Sequence, residues 1–134
     1  MRQQLTYLGL VLRALFELVR YDLIHTVCGF GPIRNGLIKQ ATKQAAKQMV
    51  VDADCERIIC DAVLLATCLY WKPVLCLQRS VCATRLLRTR GVAARLVIGY
   101  REVPFFSHAW VEVDSRVVND SPAYRSRLRV LHAM

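Results

Sequence analysis

Apolar and polar positions alternate with two different periods along this chain, and the change falls near residue 91. Leu5, Leu8, Leu12, Leu15, Phe16 and Val19 recur at the three-to-four spacing of one helix face, so an amphipathic helix is expected from about residue 5, continuing to about residue 27. Gly29, Gly31 and Pro32 then break it. A second helix is expected over 35–49, with Lys39, Lys43 and Lys47 four apart on one stripe. A third is expected over 54–70, rich in buried-type residues such as Ile58, Ile59, Val63 and Leu65, with Asp52 or Asp54 able to cap its start. Pro73 closes that region, and a fourth helix is expected from Cys76 to about Arg90, with Gly91 as its stop. Beyond it the period shortens. Residues 94–100 read as a strand, 101–107 as a loop around Pro104, 108–113 as a second strand, 114–116 as a turn and 117–120 as a third strand. Residues 121–134 carry Arg125, Arg127 and Arg129 and read as an exposed basic tail. The fold class is therefore α+β, a helical first half (1–70) followed by a small antiparallel sheet, in one domain spanning 1–134.

Composition changes this picture in two ways. Hydrophobic residues make up 54% of the 134, which calls for a partner surface as well as a core, and the net charge of +9 favours acidic partners without choosing among them. The lysine stripe reads first as a solvated helix face and second as a groove for an acidic partner. The apolar face of the first helix reads as core or subunit contact, with a membrane-surface helix as the sharper alternative. No uncharged apolar run approaches the roughly 18 to 20 residues that span a bilayer. Aromatics are only 8%, and without a recognition motif nucleic acid is not an expected partner.

Six cysteines stand at 28, 55, 60, 68, 76 and 82. None forms a Cys-x-x-Cys pair, so no metal site is expected. The start lacks a convincing export signal, so the thiols are expected reduced and the chain cytoplasmic. Cys76 stands out because it follows Pro73 at the expected first turn of a helix, where unpaired backbone N–H groups and the helix dipole favour a thiolate and an oxyanion. Cys82 lies two turns deeper and reads as packed.

A cysteine nucleophile needs a base and a group that orients the base. Of the three histidines, His132 falls in the expected tail and His25 in an apolar helix, whereas His108 opens a strand just after a loop. Asp114, six residues along the same strand, would lie about 20 Å from His108 at strand rise. Asp120 lies past the hairpin turn, where cross-strand neighbours are roughly 5 to 8 Å apart, and can orient the imidazole. Trp110 shares a strand face with His108 and can shield the site. Gln78, Arg79 and Trp110 are candidate substrate contacts by proximity, Arg79 being equally readable as a structural ion pair.

The residues that carry this constellation resemble a known family. Cys76-Leu77-Gln78-Arg79-Ser80, the run from Leu86 to Tyr100, Pro104-Phe105, His108-Ala109-Trp110-Val111-Glu112-Val113 and Val117-Val118-Asn119-Asp120 look like a transglutaminase-like, papain-related core. More narrowly, the set resembles the leader peptidases of lasso peptide biosynthesis, over about a third of the chain. The resemblance implies a cysteine peptidase that cuts the leader from a ribosomally made precursor, with Cys76 as nucleophile, His108 as general base and acid, and Asp120 as its orienting partner. It implies a catalytic core over 71–120, a partner lasso cyclase and, given the chain's length, leader recognition by a separate protein. No cofactor is expected. Two other readings stay open: acyl transfer to an amine instead of water, and a non-catalytic module that docks a precursor or an enzyme.

Overall fold

The computed structural model describes residues 2–44 and 52–134. Four helices come first: α1 (Arg2–Cys28), α2 (Gly31–Gln44), α3 (Ala53–Leu69) and α4 (Cys76–Thr89). The expected extension of the second helix past residue 44, including Lys47, lies outside the described residues, while Lys39 and Lys43 are exposed on α2. Asp52 caps α3, its carboxylate accepting from Asp54 N–H at 3.3 Å. The first intrahelical bond of α4 runs from Arg79 N–H to the Leu75 carbonyl at 3.0 Å, and no side chain caps this helix. The N–H groups of Cys76, Leu77 and Gln78 therefore precede the helical ladder. At the other end Gly91, with φ +85°, turns the chain into the sheet.

Helix α4 runs antiparallel against α1. Cys82 Sγ–H donates to the Ala14 carbonyl at 3.5 Å, and one turn nearer the α4 start Gln78 Nε2–H donates to the Leu18 carbonyl at 3.1 Å. Arg85 Nε bonds Glu17 Oε2 at 2.8 Å along the same seam. Buried Ala14, Leu18, Ile59, Val63, Ala66, Leu86 and Leu87 join these helices to the sheet through Val111 and Val113. Arg88, itself buried, ties three elements together, donating to the Leu37 carbonyl of α2 at 2.7 Å and to the Ala94 carbonyl at 2.8 Å.

The sheet has four antiparallel strands in the order β3-β2-β1-β4, formed by β1 (Ala94–Arg101), β2 (Phe106–Val113), β3 (Arg116–Val117) and β4 (Arg129–Ala133). Three differences from the sequence reading have physical causes. The expected loop over 101–107 shrinks, because Arg101 and Phe106 pair across the hairpin. The third strand is two residues long, because after Val118 N–H donates to the Val111 carbonyl at 3.0 Å the Asn119 side chain replaces a backbone partner and accepts from Val111 N–H at 2.8 Å. The segment expected as a tail instead forms the short helix α5 (Ala123–Arg127) and then β4, which pairs with β1. Its exposed arginines hid this, since β4 is an edge strand whose affinity for β1 lies in backbone hydrogen bonds rather than an apolar pattern.

Alternation divides β2. Ala109, Val111 and Val113 face the helices, whereas His108, Trp110 and Glu112 face the other side, with Val97, Leu128 and Tyr124.

Candidate active site

Two crossing elements build the site, the start of α4 and the strand β2. Ser80, one helical turn beyond Cys76 and on the same face, donates its hydroxyl to the Ala109 carbonyl at 3.0 Å. Asn119 Nδ2 in turn donates to Ser80 Oγ at 3.2 Å. This pair of bonds pins the first turns of α4 to the strand position next to His108. Cys76 packs half-buried against the cluster that contains Ala109 and Val81.

His108 Nε2 meets Asp120 Oδ2 at 2.8 Å. The cross-strand reach argued from the sequence is realised, although Asp120 comes from the irregular segment after β3. Asp120 is held from three sides: its Oδ2 also accepts from Arg79 Nη2 at 2.7 Å, and its Oδ1 accepts from Ser121 N–H at 2.8 Å. Burial pushes this carboxyl up, but the hydrogen bonds from His108 and Ser121 and the Arg79 charge outweigh it and hold Asp120 below its ordinary value. With Nε2 engaged, Nδ1 is the imidazole nitrogen left for chemistry.

Aromatic rings surround the imidazole. Tyr124 of α5 lies 4.1 Å from it between centroids, Phe106 at 6.0 Å and Trp110 at 6.4 Å. Trp110 is 0% exposed and donates its indole N–H to Glu112 Oε1 at 2.9 Å, so it forms the floor beneath His108 rather than a rim. Gln78 is 5% exposed and its amide is spent on α1, so it faces the interior. Arg79 takes the ion-pair role. Sequence reasoning missed Tyr124, whose only local signal was an aromatic residue four positions past Asp120, and it missed Ser80 and Asn119 as the link between helix and strand, although Ser80 stands one turn from Cys76.

All six cysteines are free thiols. Burial, with Asp61 and Glu56 nearby, pushes the Cys60 thiol up to about 12. Burial also raises that of Cys82. Cys55 shares with Cys76 a place in the first turn of a helix, a likeness the sequence reading passed over, but it sits between Asp54 and Glu56. His25 stacks on Tyr21, and His132 lies in β4 opposite Ile98.

Residues 18–133 match the transglutaminase-like superfamily. The chain belongs to that superfamily. Among curated proteins, the microcin J25-processing protein McjB of Escherichia coli is 48% identical over 56 residues, a stretch that makes up 42% of this chain and 27% of that protein. No solved structure gives a match. In this transglutaminase-like chain the helical half and the antiparallel sheet follow one another as the sequence pattern requires, and the His108–Asp120 pair lies where sheet and α4 meet. No helix among the described residues is long and apolar enough to cross a membrane.

Proposed function

We propose that this chain is a cysteine peptidase that removes the leader from a lasso peptide precursor, with Cys76, His108 and Asp120 as its triad. The observation that carries the reading is the Asp120–His108 hydrogen bond set beside a helix start bearing Cys76, the two parts fastened by Ser80 and Ala109. The membership in the transglutaminase-like superfamily and the likeness to a microcin J25-processing protein support the same chemistry and the same kind of substrate. Six free thiols fit a reducing cytoplasm.

In this mechanism His108 Nδ1 takes the Cys76 proton and the sulfur attacks the scissile carbonyl. Unpaired N–H groups at the start of α4 receive the developing oxyanion. As the carbon–nitrogen bond breaks, the imidazolium protonates the leaving amine. Water then adds to the thioester with His108 as base, freeing the leader acid and the thiol. Asp120 fixes the tautomer that presents Nδ1, and Arg79 fixes Asp120. The precursor, a separate leader-recognition protein and a lasso cyclase are the proposed partners.

The test is incubation of the protein with a lasso precursor and its leader-recognition partner, followed by mass. Wild type is expected to release the leader, and Cys76→Ala to release none. Cleavage that survives Cys76→Ala would assign the nucleophile elsewhere. A precursor and partner that bind without being cut would favour the docking module, and an amine-linked product would favour acyl transfer.

A further inference from the structure

The proposed mechanism leaves the Tyr21 hydroxyl unused beside Cys76. On α1, Ala14, Leu18 and Tyr21 fall at i, i+4 and i+7, a single helix face. The antiparallel seam places Cys82 against Ala14 and Gln78 against Leu18. One further step along the same seam brings Tyr21 level with the start of α4. Tyr21 accordingly joins the buried cluster of Val81, Leu96 and Ala109, against which Cys76 packs, and as a residue it is 8% exposed. His25 stacks on it at 5.5 Å with the planes 8° apart. The hydroxyl has no hydrogen-bond partner among the described residues, whereas the neighbouring Tyr70 hydroxyl bonds Asp22.

We infer that the Tyr21 hydroxyl is a catalytic donor to the oxyanion formed at Cys76, so that α1 supplies the side-chain half of a hole whose other half is the backbone N–H row at the start of α4. The inference rests on the peptidase reading above. When Cys76 Sγ bonds to the carbonyl carbon, the carbonyl π pair moves onto oxygen, and that oxygen accepts hydrogen bonds from Tyr21 O–H and from a helix-start N–H. No proton is transferred. When the pair returns, the carbon–nitrogen bond breaks and the amine leaves with the proton held by His108. Burial first, then the negative charges of Asp22 and Cys76, raise the Tyr21 hydroxyl above its ordinary value, which keeps it a donor through the pH range of catalysis. The bond is strongest when the oxygen carries full charge, so Tyr21 lowers the barrier more than it aids substrate binding.

The experiment compares wild type, Tyr21→Phe, His25→Ala and Cys76→Ala with precursor and leader-recognition partner, and adds a peptide aldehyde ending at the cleaved residue. Tyr21→Phe keeps the ring and its packing. Its kcat is expected to fall about 10²-fold with KM within about twofold. The aldehyde adduct, whose tetrahedral oxygen needs the same donors, is expected to weaken by about tenfold or more. His25→Ala removes the stacking ring and keeps the hydroxyl, and its kcat is expected to stay within about threefold of wild type. Tyr21→Phe with wild-type kcat and wild-type aldehyde affinity would overturn the inference and leave the peptidase reading intact. An equal loss in His25→Ala would assign the effect to ring placement and also overturn it. A wild-type protein that neither cuts nor forms the adduct would remove the peptidase reading, and the inference with it.

Discussion

Asp120 carries two hydrogen-bond partners, Arg79 and His108, on one oxygen, and this bears on how the site responds to acid. Arg79 and His108 both meet Oδ2, while Ser121 N–H occupies Oδ1. The Asp120 carboxyl is held below its ordinary value, so its ionised form contributes stability above that value, and the contribution is lost as pH falls through the lower, folded-state value. Arg79→Gln removes one source of that depression. The expected result is a lower urea midpoint than wild type at neutral pH, with the gap closing as pH falls through the folded-state value of Asp120 and the carboxyl becomes protonated in both proteins. A gap independent of pH would mean that Arg79 acts through packing alone. Asp120→Asn keeps the shape but can present the wrong imidazole tautomer, and cleavage is expected to drop by roughly 10²-fold or more while the fold persists by circular dichroism.

The elements meet through close approaches that leave little slack. Gly99 of β1 lies over Trp110, and a Cβ there would stand 2.5 Å from the indole Cη2 and 3.0 Å from Leu128 Cβ. The indole is the floor under His108, so Gly99→Ala is expected to displace it, costing about 1–3 kcal/mol of stability. Thermal melting read by tryptophan fluorescence would check this, and an unchanged melting temperature would show that the strand and α5 yield freely. Helix α5 matters for the same reason, since Tyr124 covers the imidazole from the side opposite the helices and Leu128 closes the cluster around Trp110. The hydrogen-bonded contact of Ser80 with Ala109 and Asn119 plays the corresponding part on the helix side.

Across the whole molecule, one buried cation joins the helical half to the sheet. Arg88 is buried with its guanidinium spent on carbonyls of α2 and β1. Burial first, with Arg85 adding to it, lowers its affinity for the proton to about 10, still far enough above neutrality to keep it charged. Arg88→Met preserves bulk but strands both carbonyls, and about 2–4 kcal/mol of stability is expected to be lost. Denaturant unfolding followed in parallel by far-ultraviolet circular dichroism and tryptophan fluorescence would measure it, and a stability equal to wild type would mean that water replaces the guanidinium. The net charge of +9 is carried largely by other, exposed side chains such as Lys39, Lys43, Arg127 and Arg129.

What the sequence determined by itself was local. A 3.6-residue period marked the helices, Asp52 and Gly91 marked two of their ends, and a two-residue period marked β1 and β2, because each pattern depends only on neighbours a few positions apart. The meeting of His108 and Asp120 was legible for a related reason: two residues across one hairpin need little of the rest of the chain to be placed. Tertiary structure decided whatever depends on distant segments meeting. Gln78 became an interior residue because Leu18 lies against it, β4 became a strand because β1 offers an open edge, and Tyr21 stands beside Cys76 because α1 and α4 pack antiparallel in one register. Each of these contacts spans at least 29 positions, and no short-range pattern records it; packing and backbone pairing select it once the elements exist.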